Sequence, residues 1–123
     1  MDISNFFTGR INRRNYAVVF IVLNIAYIMM YSYRTEGLPK EWATLIPTLL
    51  IMLVLVILSW SIAIRRFHDI GKSGWYMLLL FLPILNLILP IYLLFKSGDV
   101  SANKYGTPPK SRIDIADIFS LNR

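Results

Sequence analysis

The stretch RRFHDIGKSGWY at 65–76 contains the residue types that most often do chemistry. His68, Asp69 and Ser73 are the side chains of a hydrolytic triad, but neighbours on a helix point about 100° apart, and no Gly-x-Ser-x-Gly turn surrounds Ser73. Its Gly-Lys-Ser run lacks the leading glycine of a phosphate-binding loop. With one histidine and no cysteine, the chain also lacks the usual zinc ligands. The sequence therefore predicts no enzyme, no metal site and no cofactor.

The same stretch has the composition of a membrane-surface segment. Arg65 and Arg66 end an apolar run, where arginines interact with the negative helix terminus and with lipid phosphates. Lys72 adds a cation, and Trp75 has the amphipathic ring found at the headgroup level. A carboxylate among cations predicts an ion pair, so we expect Asp69 to pair with Arg66 or with an arginine of the N-terminal segment. The arginines of that segment are Arg10, Arg13 and Arg14.

The elements that must position these residues are three uncharged runs. They cover 15–33, 42–64 and 73–95, with 19, 23 and 23 residues. A helix rises about 1.5 Å per residue and the hydrocarbon layer is about 30 Å thick, so each run is long enough to be a candidate span. The chain is 56% hydrophobic and only 16% charged, whereas soluble domains have about 25% charged residues. We expect an all-α polytopic membrane protein, whose first run is an anchor and not a cleaved leader.

Two forms fit the third run. Pro83 and Pro90 each remove a helical hydrogen bond, so the run is either one kinked span or a re-entrant hairpin. If it crosses, lysine and arginine divide six against seven between the two sides. If it returns, eleven of them share one side with the N-terminus and two lie on the other, as the positive-inside rule favours. The N-terminus and the connection 65–74 are then cytoplasmic, and the side of the C-terminus depends on the form.

Polar side chains are sparse within the runs. Asn24 lies ten residues beyond Arg14, about 15 Å at helical rise and near the middle of the bilayer. Asn86 reaches a similar depth in either form of the third run. We expect these two amides to form an interhelical contact, worth about 0.6 to 2 kcal/mol.

Three separate stretches resemble a family of uncharacterised bacterial inner-membrane proteins, domain of unknown function 805. They are FTGRINRRNY at 7–16, RRFHDIGKSGWY at 65–76 and SGDVSANKYGTPP at 97–109. With the apolar runs between them, the resemblance covers 5–109. It implies a plasma-membrane location and no particular activity. We expect residues 1–109 to form the membrane domain and 110–123 a cytoplasmic tail, which is either a short amphipathic helix or a frayed terminus.

Two functions fit this pattern. The first is a non-enzymatic membrane component whose basic cytoplasmic face binds anionic lipid headgroups or a partner protein. The second is a small channel or carrier, formed by oligomerisation around Asn24, Asn86 and the broken third run. Association into a homo-oligomer or with another membrane protein suits either function. Binding to nucleic acid is not expected. The predicted face consists of Arg10, Arg13, Arg14, Arg65, Arg66, His68, Asp69, Lys72 and Trp75.

Overall fold

Four helices form the regular structure of the described residues, which are 7–35, 42–114 and 118 in this computed structural model. They are α1 (Arg13–Thr35), α2 (Trp42–Asp69), a 3-10 helix (Gly74–Phe81) and α3 (Pro83–Phe95). Two stretches, Arg13–Ser32 and Thr44–Asp69, are long and apolar enough to cross a membrane. The expected small all-α membrane protein with two long apolar helices is confirmed.

Helix α1 begins and α2 ends at the same end of the molecule. The Asn12 side chain caps α1, because its Oδ1 accepts from the Asn15 N–H at 2.7 Å. The chain before α1 lies against the end of α2, where the Ile11 N–H donates to Arg65 O at 3.3 Å. We call this end, residues 7–15, 65–73 and 96–114, the polar end.

The sequence His-Asp-Ile-Gly-Lys ends α2 by a Schellman motif. The Gly71 N–H donates to His68 O at 3.1 Å and the Lys72 N–H to Phe67 O at 2.8 Å. Gly71 has φ of 72°, a conformation that other residues adopt at a cost. The chain thereby reverses within a few residues, and Ser73 caps the 3-10 helix by accepting from the Trp75 N–H.

The third apolar run folds back on itself. The 3-10 helix of eight residues and α3 of thirteen residues rise about 16 and 20 Å, so neither spans the hydrocarbon layer alone. Leu82 has an extended conformation between them, and Pro83 begins α3. Of the two forms expected for this run, the structure has the hairpin.

Contacts with α2 fix where the hairpin starts and returns. At its tip, the Phe81 ring meets Trp60 edge to face, with centroids 5.8 Å apart. At its return, the Arg66 Nε donates to Leu93 O at 2.9 Å. The run therefore begins and ends at the polar end, and its tip lies beside the middle of α2.

Candidate functional site

One buried carboxylate joins two arginines at the polar end. Asp69 Oδ1 accepts from Arg10 Nε at 3.0 Å, and its Oδ2 accepts from Arg66. Arg10 and Arg66 are 0% exposed and Asp69 is 2% exposed. We call these residues the arginine–aspartate cluster. The expected ion pairs of Asp69 are confirmed, with Arg10 as the partner from the N-terminal segment.

Arg10 binds the backbone of the loop that follows α3. Its guanidinium donates to Ser101 O at 2.7 Å, to Gly106 O at 3.2 Å and also to Asp99 O. Loop carbonyls have no helical donors, and a guanidinium offers five N–H groups in a fixed plane. Arg10 therefore holds this loop over the end of α2.

Arg66 binds the end of α3. It donates to Leu93 O at 2.9 Å and to Lys96 O, and it reaches Ile11 O at 3.4 Å. The last carbonyls of a helix lack intrahelical donors and carry partial negative charge. An arginine there donates the missing hydrogen bonds and its positive charge interacts favourably with the helix dipole. One side chain of α2 thus joins the N-terminal segment to the hairpin.

Two loop residues in turn donate to the carbonyls at the end of α2. The Asp99 N–H donates to Asp69 O at 2.8 Å, and the Asn103 amide donates to His68 O at 3.0 Å and to Asp99 Oδ2 at 2.8 Å. Sequence reasoning assigned neither residue a role. In the sequence, these two residues stood out only because they lie in SGDVSANKYGTPP, the third stretch that resembles the family.

His68 is the single histidine of the chain, and it is 8% exposed. Its ring stacks on Tyr105, with centroids 3.8 Å apart and planes 9° apart. Its Nδ1 lies 3.1 Å from Gly9 O, and a carbonyl only accepts, so Nδ1 carries the proton. Among the described residues, no group of three or more His, Asp or Glu side chains comes together to hold a metal.

The N-terminal segment also binds the tail. The Asn12 amide donates to Lys110 O and Arg112 O, and Arg14 donates to Ser111 O at 3.0 Å. Asn15 pairs with the backbone of Asp114. Residues 110–114 therefore pack on the polar end. The predicted amphipathic helix lies largely outside the described residues. Within it Ile118 is described, and its carbonyl oxygen accepts a hydrogen bond from Arg65 at 2.6 Å.

The predicted basic face separates into an enclosed part and an exposed part. Arg10, Arg65, Arg66, His68 and Asp69 are buried, whereas Arg13, Arg14, Lys72 and Trp75 are exposed. The guanidinium groups of the arginine–aspartate cluster are surrounded by protein acceptors. Arg10 and Arg66 are therefore enclosed by the protein and present no exposed donor to a lipid phosphate.

Asn24 and Asn86 line one cavity of about 480 Å³ between α1, α2 and the hairpin. The Asn24 amide donates to Phe20 O in its own helix at 2.7 Å. Ser59, on the same cavity, likewise donates to Leu55 O at 2.8 Å. The interhelical contact between the two amides stays a prediction.

Comparison with known proteins finds a matching family model and similar inner membrane proteins. A family model described as protein of unknown function, DUF805, matches residues 5–107. Inner membrane protein YhaH of Escherichia coli (strain K12) is 26% identical over 106 residues, which cover 85% of this chain and 87% of that protein. Inner membrane protein YhaI of the same strain is 28% identical over 111 residues, covering 85% and 86%. No solved structure matches the chain.

Proposed function

Because this chain belongs to the DUF805 family of proteins of unknown function, we propose that it is an inner-membrane protein whose exposed cations bind anionic lipid headgroups. In this proposal α1 and α2 cross the membrane, and the hairpin enters and leaves on the cytoplasmic side. The proposal is non-enzymatic. Its support is that two arginines bind the carboxylate oxygens of Asp69, and that Nδ1 of His68 is bound to Gly9 O and not to a second catalytic side chain.

The return of the hairpin supports a cytoplasmic polar end. Because the hairpin ends where it began, ten of the lysines and arginines that the structure describes lie at the polar end. Arg34 lies in the last turn of α1, away from the polar end, and Lys40 follows α1 in the sequence. Such an asymmetry orients membrane proteins with the richer side in the cytoplasm.

Labelling of single cysteines tests this topology, because the chain has no cysteine of its own. We expect Gly37→Cys to react with a membrane-impermeant maleimide in spheroplasts. Ser111→Cys, in the tail, should react only after the membrane is opened. Reaction of Ser111→Cys in intact spheroplasts would show that the polar end faces the periplasm, and the proposal would fail.

The exposure of Arg13, Arg14 and Lys72 carries the headgroup proposal. Their side chains are exposed at the polar end, whereas Arg10 and Arg66 are enclosed there. A cation near an anionic membrane surface contributes about 1 kcal/mol. Trp75, next to the start of the hairpin, is 78% exposed, as suits an aromatic ring at the headgroup level.

Native mass spectrometry of the protein with its co-purified lipids tests lipid binding. We expect Arg13→Gln/Lys72→Gln to lose bound acidic lipid, by about 10-fold or more for two surface cations. The matched control, Arg34→Gln/Lys40→Gln, removes the same charge from the end of α1 and the connection after it, and should change lipid binding less. Equal losses in both variants would contradict a site at the polar end.

A second candidate function is a small oligomeric channel or carrier. The observation in its favour is the cavity of about 480 Å³, which has Asn24, Ser59 and Asn86 on its lining. Flux of small solutes into vesicles containing the purified protein tests it. Transport that disappears in Asn24→Leu/Asn86→Leu would favour this candidate, and its absence for every tested solute would count against it.

A further inference from the structure

A groove at the polar end lies beside the start of the hairpin and has a volume of about 410 Å³. Trp60, Ile64 and Leu78 give it apolar walls, Trp75 lies at its edge, and His68 and Tyr105 contribute its aromatic floor. We propose that this groove binds one anionic phospholipid whose headgroup carries free hydroxyl groups, as in phosphatidylglycerol. The inference rests on the proposed function and gives it a lipid class.

His68 supplies a hydrogen-bond acceptor to the groove. Since Nδ1 donates to Gly9 O at 3.1 Å, the neutral ring has its lone pair on Nε2. The side chain is buried, and this nitrogen lies 3.1 Å from where a Cβ would stand on Gly74, which lines the groove. With no Cβ at Gly74, Nε2 faces the groove and is open to a donor.

The chemistry of the groove restricts the lipid. An acceptor requires a donor, which the glycerol hydroxyls of phosphatidylglycerol supply and a choline headgroup does not. Lys104 lies over the Tyr105 ring, with Nζ 5.0 Å from its centroid, and Lys72 precedes the groove residue Ser73. These two cations favour a phosphate whose negative charge is not neutralised by an ammonium group in the same headgroup. The apolar walls suit the first part of the acyl chains.

The chain has one histidine, so ¹⁵N-histidine labelling reports on this site alone in the unaltered protein. Nanodiscs of phosphatidylcholine would be doped with phosphatidylglycerol, phosphatidic acid or phosphatidylethanolamine. We expect the Nε2 resonance to shift with phosphatidylglycerol, as its lone pair accepts a hydrogen bond from a headgroup hydroxyl. It should change less with phosphatidic acid, which has no headgroup alcohol, and with phosphatidylethanolamine, whose ammonium can donate but neutralises the phosphate that the lysines attract. No shift with phosphatidylglycerol, or an equal shift with phosphatidic acid, would overturn the inference.

Affinity gives a second measurement, by quenching of tryptophan fluorescence with brominated lipids. The background variant Trp42→Phe removes the tryptophan at the far end of α2, so that Trp60 and Trp75 report. We expect brominated phosphatidylglycerol to be preferred over brominated phosphatidic acid by about 2- to 10-fold, the contribution of one hydrogen bond. His68→Asn retains a side-chain amide near Gly9 but has no atom at the Nε2 position, and should abolish this preference.

The outcomes separate the two proposals. If both anionic lipids quench equally well and better than phosphatidylethanolamine, anionic binding stands and the hydroxyl-specific site is wrong. If no anionic lipid is preferred, the proposed function itself fails. If His68→Asn folds, by its melting temperature, and still prefers phosphatidylglycerol, then His68 does not supply the selectivity and the inference is overturned.

Discussion

The two halves of this molecule are packed in opposite ways. Along the helices large apolar side chains face outward, so that Ile28 is 65% exposed and Leu87 is 72% exposed. At the polar end several charged side chains are inside, and Arg10 and Arg66 are both 0% exposed. In a soluble domain apolar residues form the interior, and charged ones are almost never fully buried unless they are paired.

The surroundings of each half explain the difference. In hydrocarbon a helix satisfies its own backbone, and its outward side chains need only be apolar. The loop 96–114 has many carbonyls without helical donors, and the buried arginines and asparagines supply them. The specific contacts of the fold are therefore concentrated at the polar end, where we expect substitutions to have the largest effects.

The largest effect is expected for Asp69→Ala. Removing this carboxylate leaves Arg10 and Arg66 buried with no negative charge between them. Breaking a buried pair in this way costs about 3 to 5 kcal/mol. The free energy of unfolding, measured by denaturant titration in detergent micelles, should fall by that amount.

An exposed ion pair provides the control. Arg112 lies 3.8 Å from Asp114, and its side chain is 72% exposed. Exposed pairs contribute about 0 to 1 kcal/mol, so Arg112→Gln should leave unfolding nearly unchanged. Similar losses for Asp69→Ala and Arg112→Gln would mean that burial at the polar end has no special role.

The next largest effect is expected for Arg10→Lys, which keeps the charge and removes the planar set of donors. One ammonium cannot replace a guanidinium that binds Asp69, Ser101 and Gly106. At least one part-buried carbonyl of the loop then loses its donor, which costs about 1 kcal/mol or more. The same titration measures it, and trypsin should cut the loop 96–114 faster.

Arg13→Lys is the matched control, because Arg13 is exposed three residues further along the chain. This variant should unfold and be cleaved like the unaltered protein. If Arg10→Lys also behaves like the unaltered protein, charge alone holds the loop, and the geometry of the guanidinium does not matter.

An effect of similar size is expected for Gly98→Ala. A Cβ at this position would overlap the Asp69 carboxylate, so either the loop or the cluster must move. Overpacking of this kind costs about 1 to 3 kcal/mol. Ser97→Ala, on the neighbouring exposed residue, should have little effect on the melting temperature in micelles. Full stability of Gly98→Ala would show that the loop does not press against Asp69.

Much of the fold could be predicted from the sequence, because run length and charge placement determine where helices meet lipid. The two long helices and the pairing of Asp69 were predicted in this way. The third run was left open, since Pro83 permits either a kink or a turn. In the structure the hydrogen bond from Arg66 to Leu93 O joins the end of α3 to the end of α2, as in a hairpin. The hydrophobic periodicity of the sequence gives no information about such a contact.

The sequence was least informative about burial at the polar end. Cations beside an apolar run suggest a surface, and Arg65 and Arg66 were expected to reach headgroups. In the structure both are buried, and they donate to carbonyls of the chain, Arg65 to Ile118 O and Arg66 to Leu93 O. A contact such as Tyr105 on His68 joins residues 37 positions apart in the sequence, so spacing alone could not indicate it.

The smallest effects are expected for leucine truncations along the helices. Leu23 is 6% exposed within the helix packing, and Leu53 is 55% exposed. In a soluble core a truncation to alanine costs about 2 to 5 kcal/mol. Within lipid the removed atoms do not pass from water to an apolar interior, so mainly packing contacts are lost. We expect about 1 kcal/mol for Leu23→Ala.

Leu53→Ala should change the free energy of unfolding by less than about 0.5 kcal/mol, because its side chain contacts lipid or detergent before and after unfolding within the micelle. Both variants are measured by the same titration in the same micelle. A loss of several kcal/mol for Leu23→Ala would mean that the helices pack by the hydrophobic effect, as in a soluble core. A loss for Leu53→Ala equal to that of Leu23→Ala would indicate that its outward face is covered by another protein surface, such as a second copy of the chain.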